Sequence, residues 1–158
     1  MTSPRETLVG VISDTHGLLR PEAVAALRGA DLIIHAGDVG KPDVLEGLRA
    51  IAPTHVVRGN IDTDRWALRL PLTARVDAAG QSFFLLHDIA QLDLDPASAG
   101  IAAVIYGHSH KPSIETHNGV LFLNPGSAGP RRFKLPISVA RVLISGAQLR
   151  PELVELKV

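Results

Sequence analysis

Five short apolar runs in this chain each stop at an aspartate, an asparagine or a histidine, and that repeated ending constrains the fold more than any other feature. Leu8-Val9-Gly10-Val11-Ile12 runs into Ser13-Asp14-Thr15-His16, and Leu32-Ile33-Ile34-His35-Ala36 into Gly37-Asp38. The run 54–58 meets Gly59-Asn60, Phe83-Phe84-Leu85-Leu86 meets His87-Asp88, and Ile101-Ala102-Ala103-Val104-Ile105-Tyr106 meets Gly107-His108-Ser109-His110. Short apolar runs bounded by turn residues read as buried strands. In an open α/β sheet the ligand crevice lies at the carboxyl ends of the strands, which is where these polar residues fall. Alternation along a strand end would turn both members of the pairs Asp14/His16 and His108/His110 to one side.

Between the runs, the first part of the chain reads as βαβαβ. Pro21 opens a short helix with Val24 and Leu27 on its apolar face and Gly29 as its stop, and Pro42 opens a second with Val44, Leu45, Leu48 and Ile51 on one face. The second part reads as hairpins. One turns at Ala79-Gly80-Gln81, one at Asn118-Gly119 and the last at Ser145-Gly146. Parallel strands followed by antiparallel hairpins predict two packed sheets with helices outside, in one domain over 1–158. The segment from Pro125 to Pro136, rich in Gly and Pro, reads as a long surface loop.

Composition removes several function classes. Formal net charge is zero and aromatic residues make up 4%, so neither a strong electrostatic excess nor a set of stacking platforms for nucleic acid is expected. Cysteine is absent, which excludes disulfides and thiolate metal sites and leaves N and O ligands only. The first apolar run is short and meets Asp14, so neither a signal peptide nor a membrane span is expected, and a cytoplasmic location is the default.

Taken singly, Asp38 reads as a cap of the following helix, Asn60 as an Asx-turn residue and His87 as a satisfied strand-end side chain. Taken together with Asp14, His16, His108 and His110, they read as one metal site. The ordered set Asp14-Thr15-His16, Gly37-Asp38, Gly59-Asn60, His87 and Gly107-His108-Ser109-His110 resembles the motifs of the calcineurin-like metallophosphoesterases. Asn124-Pro125-Gly126-Ser127 resembles the loop that closes the core in the small, cap-less bacterial and archaeal phosphodiesterase branch. The resemblance spans nearly the whole chain and implies a four-layer αββα sandwich with two packed mixed β-sheets.

It also implies a division of ligands. Asp14, His16 and His110 would hold a first ion, Asn60, His87 and His108 a second, and Asp38 would bridge them, with Asp38, Asn60 and His108 expected to serve catalysis. The implied reaction is phosphodiester hydrolysis by attack of a bridging hydroxide at a two-metal site. A carboxylate can link ions about 3.5–4 Å apart, and asparagine adds an oxygen without a further negative charge. Manganese is expected as the activating ion from the resemblance, with zinc the main competitor and iron, nickel or cobalt compatible with the same donors. The expected partner is a small phosphate ester, with nucleotide-derived esters among the candidates, and an oligomer is left open. A non-catalytic scaffold of the same fold and a phosphomonoesterase or nucleotidase are the alternatives.

Two positions depart from the family pattern. Many relatives carry histidine after the asparagine, where it can protonate the leaving oxygen, and here that residue is Ile61. After His87 many small relatives continue Gly-His, and here Asp88-Ile89 follows, with Asp88 open to binding a third cation, orienting His87 or capping a turn. His35, on the opposite side of its strand from Asp38, reads as a packing or supporting residue, His55 as structural and His117 as exposed. Arg58 and the Arg131-Arg132-Phe133-Lys134 cluster are candidates for contact with substrate phosphate, or solvated surface.

Overall fold

A computed structural model describes residues 6–158. Residues 1–5, part of the single domain expected over 1–158, lie outside the described residues. Ten strands form two mixed five-stranded sheets. The first contains β1 (Thr7–Ile12), β2 (Leu32–His35), β3 (Thr54–Val56), β9 (Ser138–Ser145) and β10 (Gln148–Glu155), in the order β10-β9-β1-β2-β3. The second contains β4 (Thr73–Ala78), β5 (Gln81–Leu86), β6 (Ala103–Ile105), β7 (Ser113–His117) and β8 (Val120–Asn124), in the order β4-β5-β6-β8-β7. Strands β1, β2 and β3 are parallel, as are β5, β6 and β8, while β4, β7, β9 and β10 join antiparallel at the flanks.

Alternation along β1 shows how the sequence builds the layers. Val9 and Val11 point into the space between the sheets with Ile34, Phe83, Leu85, Ile105 and Leu123, whereas Ile12 points the other way, toward the helices. Burying side chains of this size contributes about 1.5–3 kcal/mol each. On the outer face of the first sheet lie α1 (Pro21–Leu27) and α2 (Pro42–Arg49), both opened by proline at the first turn as the sequence predicts. Ala23 and Leu27, and Val44, Leu45 and Leu48, are their buried residues.

The two packed mixed sheets match expectation, and the outer layer over the second sheet is slight. It consists of the 3-10 turn Ile89–Gln91 and the segment that follows, where Ile89, Leu92 and Ile101 pack on Leu86, Val104 and Val120. Two of the three two-residue hairpin turns have left-handed backbone at both positions, Ala79 (φ 50) and Gly80 (φ 81), and Asn118 (φ 51) and Gly119 (φ 76), while the third, Gly146-Ala147, has it at Gly146 (φ 59). The expectation of a surface loop over 125–136 fails in its first half. Pro125 to Gly129 is buried, because Ser127 bridges to Ile137 and its hydroxyl donates to the Asp14 carbonyl at 3.0 Å. Among the described residues no helix is long and apolar enough to cross a membrane.

Candidate metal centre

The loops that leave β1, β2, β3, β5 and β6 converge at one edge of the sandwich and carry all seven residues singled out by the sequence. Their backbone is unusual. Asp14 (φ 54), His16 (φ 46), Asp38 (φ 57), His108 (φ 73) and His110 (φ 63) all adopt the left-handed conformation that L-residues avoid. Strand alternation is therefore not what turns Asp14 and His16, or His108 and His110, to a common side; left-handed turns do, at a cost on the order of 1 kcal/mol or more per residue. Close approach of the loops explains the glycines before the polar residues. A Cβ at Gly59 would run into Asp38, and one at Gly107 into the Ser13 hydroxyl and, at 2.6 Å, Asp14 Oδ2.

Asp14 and Asp38 each have one oxygen held and one turned inward. Asp14, fully buried, accepts from the Ser13 hydroxyl (2.7 Å) and the His108 amide (3.1 Å) through Oδ2. Asp38 accepts from the Ile61 amide through Oδ1 at 3.1 Å. The other oxygens face imidazoles: Asp14 Oδ1 lies 3.4 Å from His110 Nε2, 3.8 Å from His87 Nε2 and 3.9 Å from His16 Nε2. Asp38 Oδ2 lies 3.3 Å from His87 Nε2 and 3.5 Å from His16 Nε2. His87 Nδ1 sits 2.8 Å from the Ala36 carbonyl, which can only accept, so this nitrogen carries the proton and Nε2 presents a lone pair.

Two groups of donors result. Asp14, His16 and His110 form one, and Asp14, Asp38 and His87 form the other, the candidate ligand atoms of each lying within 4.8 Å of one another. Asp38 Oδ2 reaches one histidine of each expected set, His16 and His87. Asn60 and His108 are exposed at the rim, with Asn60 Oδ1 3.1 Å from His108 Nδ1 and the His108 ring edge-on to that of His87, centroids 5.2 Å apart. Neither bland alternative fits: Asp38 is not the cap of α2, whose N-cap is Lys41, and the Asn60 side chain pairs across to another loop.

Protonation follows from the surroundings. Burial pushes the His16 imidazole down, against the opposing pull of Asp38 and Asp14. Burial alone would raise Asp38, but the His87 imidazole beside it, the Ile61 amide and His16 outweigh it, and its carboxyl is lowered. For His87 burial is likewise outweighed, by the neighbouring Asp38 and Asp14 carboxylates, and its imidazole is raised.

Supporting residues tie the loops together, and several were not singled out by the sequence reading. Asp62 is buried and accepts three backbone amides, from Val39 (3.1 Å), Gly40 (3.0 Å) and Gly59 (2.9 Å). That clamps the Asp38 loop to the Asn60 loop and leaves Asp62 no role as a proton donor. His35 is fully buried, accepts the Gly37 amide at Nδ1 (3.0 Å) and so donates from Nε2 to the Thr15 hydroxyl (3.0 Å), which donates on to Val39 (2.9 Å). It supports, as expected, and does not face the carboxylates. Asn124 donates to the Gly107 carbonyl and the Ser109 hydroxyl, both at 3.1 Å, and pins the His108–His110 loop. The spacing Gly59-Asn60-Ile61-Asp62 was the available signal for Asp62, since aspartate shortly after glycine often binds nearby amides.

The remaining candidates separate clearly. Asp88 caps the 3-10 turn, accepting the Ala90 amide at 3.0 Å, which is the capping alternative. His55 is exposed in β3, and exposed His117 pairs with Glu115 at 2.9 Å. The Arg131 guanidinium holds the Leu135 carbonyl at 3.2 Å, and Phe133 is 93% exposed. Ile61 is 40% exposed beside Asp38, with no group to donate from its side chain.

The donor set fits divalent cations. Asp14 Oδ1, His16 Nε2, His87 Nε2 and His110 Nδ1 are buried polar atoms without a hydrogen-bond partner among the described residues, and such atoms are costly unless something pairs with them. Carboxylate and imidazole together suit first-row transition metals.

Known proteins share this sequence pattern and this fold. The sequence model of the calcineurin-like phosphoesterase superfamily domain matches residues 8–147. A probable metallophosphoesterase of Methanothermobacter thermautotrophicus is 36% identical over 93% of this chain and 91% of its own length. A crystal structure of a predicted phosphoesterase from Streptococcus pneumoniae superposes with a TM-score of 0.75 at 27% identity, over 97% of this chain and 91% of the other. The fold also matches Vps29 of Entamoeba histolytica complexed with zinc, with a TM-score of 0.72 at 23% identity over 96% of this chain and the whole of that one.

Proposed function

The chain belongs to the calcineurin-like phosphoesterase superfamily, and from that premise we propose that it is a metal-dependent phosphodiesterase acting through two divalent cations. The observation that carries this reading is the cluster of three buried, unpartnered atoms that face one another, Asp14 Oδ1, His16 Nε2 and His87 Nε2, with His110 Nε2 beside them. Asp14, His16 and His110 would hold one ion and Asn60, His87 and His108 the other, with Asp38 between them. When bound, such ions lower the pKa of a coordinated water to about 7 and stabilise the developing charge on phosphoryl oxygens. Manganese is the favoured ion, with zinc its nearest rival.

The protein's own part is to hold these groups ready. Asp14 and Asp38 each keep one oxygen fixed by backbone amides, so the inward oxygens need no reorganisation when a ligand arrives. His108 and Asn60, exposed at the rim, are the groups a phosphoryl oxygen meets first. Ile61 stands where a histidine would protonate the leaving group, so the site relies on leaving groups that depart as anions. A diester with an aryl leaving group suits that chemistry better than an alkyl monoester. We place the enzyme in the cytoplasm, as a single domain acting on a small phosphate ester.

Metal analysis of the reconstituted protein, combined with turnover of matched mono- and diesters under several added metals, tests the reading. The expected result is close to two ions per chain and faster hydrolysis of aryl diesters than of the corresponding monoesters. One ion or none at saturation would remove the two-metal reading. Two ions with no turnover of either ester class would favour a metal-stabilised scaffold.

A further inference from the structure

Beside Asn60 and His108 the edge opens into a recess of about 350 Å³. Its inner wall includes Asn60, His87 and His108, and its outer wall is formed by Arg58, Leu72, Thr73, Gln91 and Asp93 over Leu86. Resting on the phosphodiesterase reading, we propose that this recess binds the ester group that remains on phosphorus, and that this group is uncharged, ring-bearing and hydroxylated, as a nucleoside is.

Position, size and chemistry each contribute. Anything seated here abuts the side chains that would meet the phosphoryl group. Small-molecule sites range over about 300–1,000 Å³, so this recess is large enough to take one nucleoside-sized group. Leu72 is 61% exposed on its lip, and a large apolar side chain exposed on a concave surface is a contact face for a ring. The wall is built rather than incidental: the Arg58 amide donates to the Pro71 carbonyl at 2.8 Å, placing Leu72 and Thr73 beside it, and the capping bond of Asp88 sets the turn that presents Gln91.

Charge narrows the class further. One guanidinium, Arg58, and two carboxylates, Asp88 and Asp93, line the recess, so the lining itself carries a formal charge of about −1 at neutral pH and supplies no cationic excess for a second anionic arm. Among the described residues the side chains of Arg58, Gln91 and Asp93 have no hydrogen-bond or ion-pair partner. Carboxylates accept from sugar hydroxyls, and guanidinium and amide N–H groups donate to ring carbonyls. A plain hydrocarbon arm would use the leucines and leave these groups idle.

The test uses metal-loaded protein and three p-nitrophenyl phosphodiesters that share a leaving group and differ in the retained arm: methyl, phenyl and thymidin-5′-yl. The expected kcat/KM for the thymidine arm exceeds that for methyl by about tenfold, expressed in KM, with phenyl between them. Leu72→Asp and Arg58→Gln should bring the thymidine-to-methyl ratio toward one. A ratio near one in the wild type, a phenyl arm preferred to thymidine, or a preference that survives both substitutions overturns the inference, while turnover of all three diesters leaves the phosphodiesterase reading standing. If no diester is hydrolysed, that reading fails, and calorimetry decides the recess separately. Thymidine 5′-monophosphate binding about tenfold tighter than methyl phosphate, with the difference lost in Leu72→Asp, supports the recess; equal binding overturns it.

Discussion

The buried and exposed halves of the candidate metal centre are built on opposite principles. Asp14, Asp38, His87 and His110 are each at most 6% exposed, and the first three have one polar atom fixed by backbone or a neighbouring hydroxyl and another turned inward. Asn60 and His108 are exposed, and the hydrogen bond between their side chains links one rim residue to the other. The difference teaches that the inner half is organised before any ligand binds, whereas the outer half is free to be completed by what arrives. Preorganised polar groups cost little at the moment of reaction, and exposed ones can adapt to substrate.

The sharpest way to break that contrast is Asp38→Ala. Asp38 Oδ2 reaches both His16 and His87, so its removal should deplete both ions and lower turnover by well over the roughly 100-fold that altering an outer partner of a metal ligand can cost. Metal content measured by emission spectrometry alongside turnover reads this; retention of both ions at near-normal affinity would show that the inner half is not one cradle. Next in size, Asn60→Ala and His108→Ala should each lower turnover about 100-fold while changing metal-free stability by no more than about 0.5 kcal/mol, as exposed substitutions usually do. Denaturant titration of the metal-free variants checks the second half, and a large stability loss would mean that the rim is structural.

Asp62→Ala addresses the link between the two halves. Three backbone amides lose their acceptor, so stability should fall by about 2–3 kcal/mol in the same titration even without metal. Ile61→His sharpens the outer half by supplying a proton donor at the rim. It should flatten the dependence of rate on leaving-group pKa and raise monoester turnover about tenfold, a modest share of what general acids contribute. A steep dependence persisting in the variant would place the leaving oxygen elsewhere.

The effect furthest from catalysis is on pH dependence. Burial lowers His35 to about 4, from an ordinary value of 6.5, so the unfolded chain binds a proton that the folded protein refuses between those limits. Its contribution to stability is complete above about pH 6.5 and is lost as pH falls toward about 4, at up to about 1.4 kcal/mol per pH unit. His16, also lowered, acts in the same sense and His87, raised, in the opposite one, so the measurement is the difference in pH slope between metal-free wild type and His35→Gln. Equal slopes would show that His35 is protonated in the fold.

Much of the fold was legible because local patterning and global packing agree. Pro21 and Pro42 start α1 and α2, the hairpin turns fall at Ala79-Gly80 and Asn118-Gly119, and the polar endings of the parallel strands lie at one edge. The burial of 125–129 was not legible, since glycine and proline signal a turn whether it lies in solvent or against the Asp14 loop. Asp62 and the recess beside Arg58 escaped for a related reason: each depends on segments distant in the chain, the Asp38 loop in one case and the 71–73 segment in the other.

By itself the sequence determined which residue types stand at the strand ends and that no thiolate shares the work, because strand periodicity, proline and glycine act over a few residues. Only the tertiary structure decided that Asp14 and Asp38 each turn one oxygen inward, that His87 presents Nε2, and that Asn60 and His108 are left at the rim. Those outcomes depend on left-handed turns and on amides donated across loops, from His108 to Asp14 and from Ile61 to Asp38. A hydrogen bond between residues 94 positions apart is specified by packing of the two sheets, which no local pattern encodes.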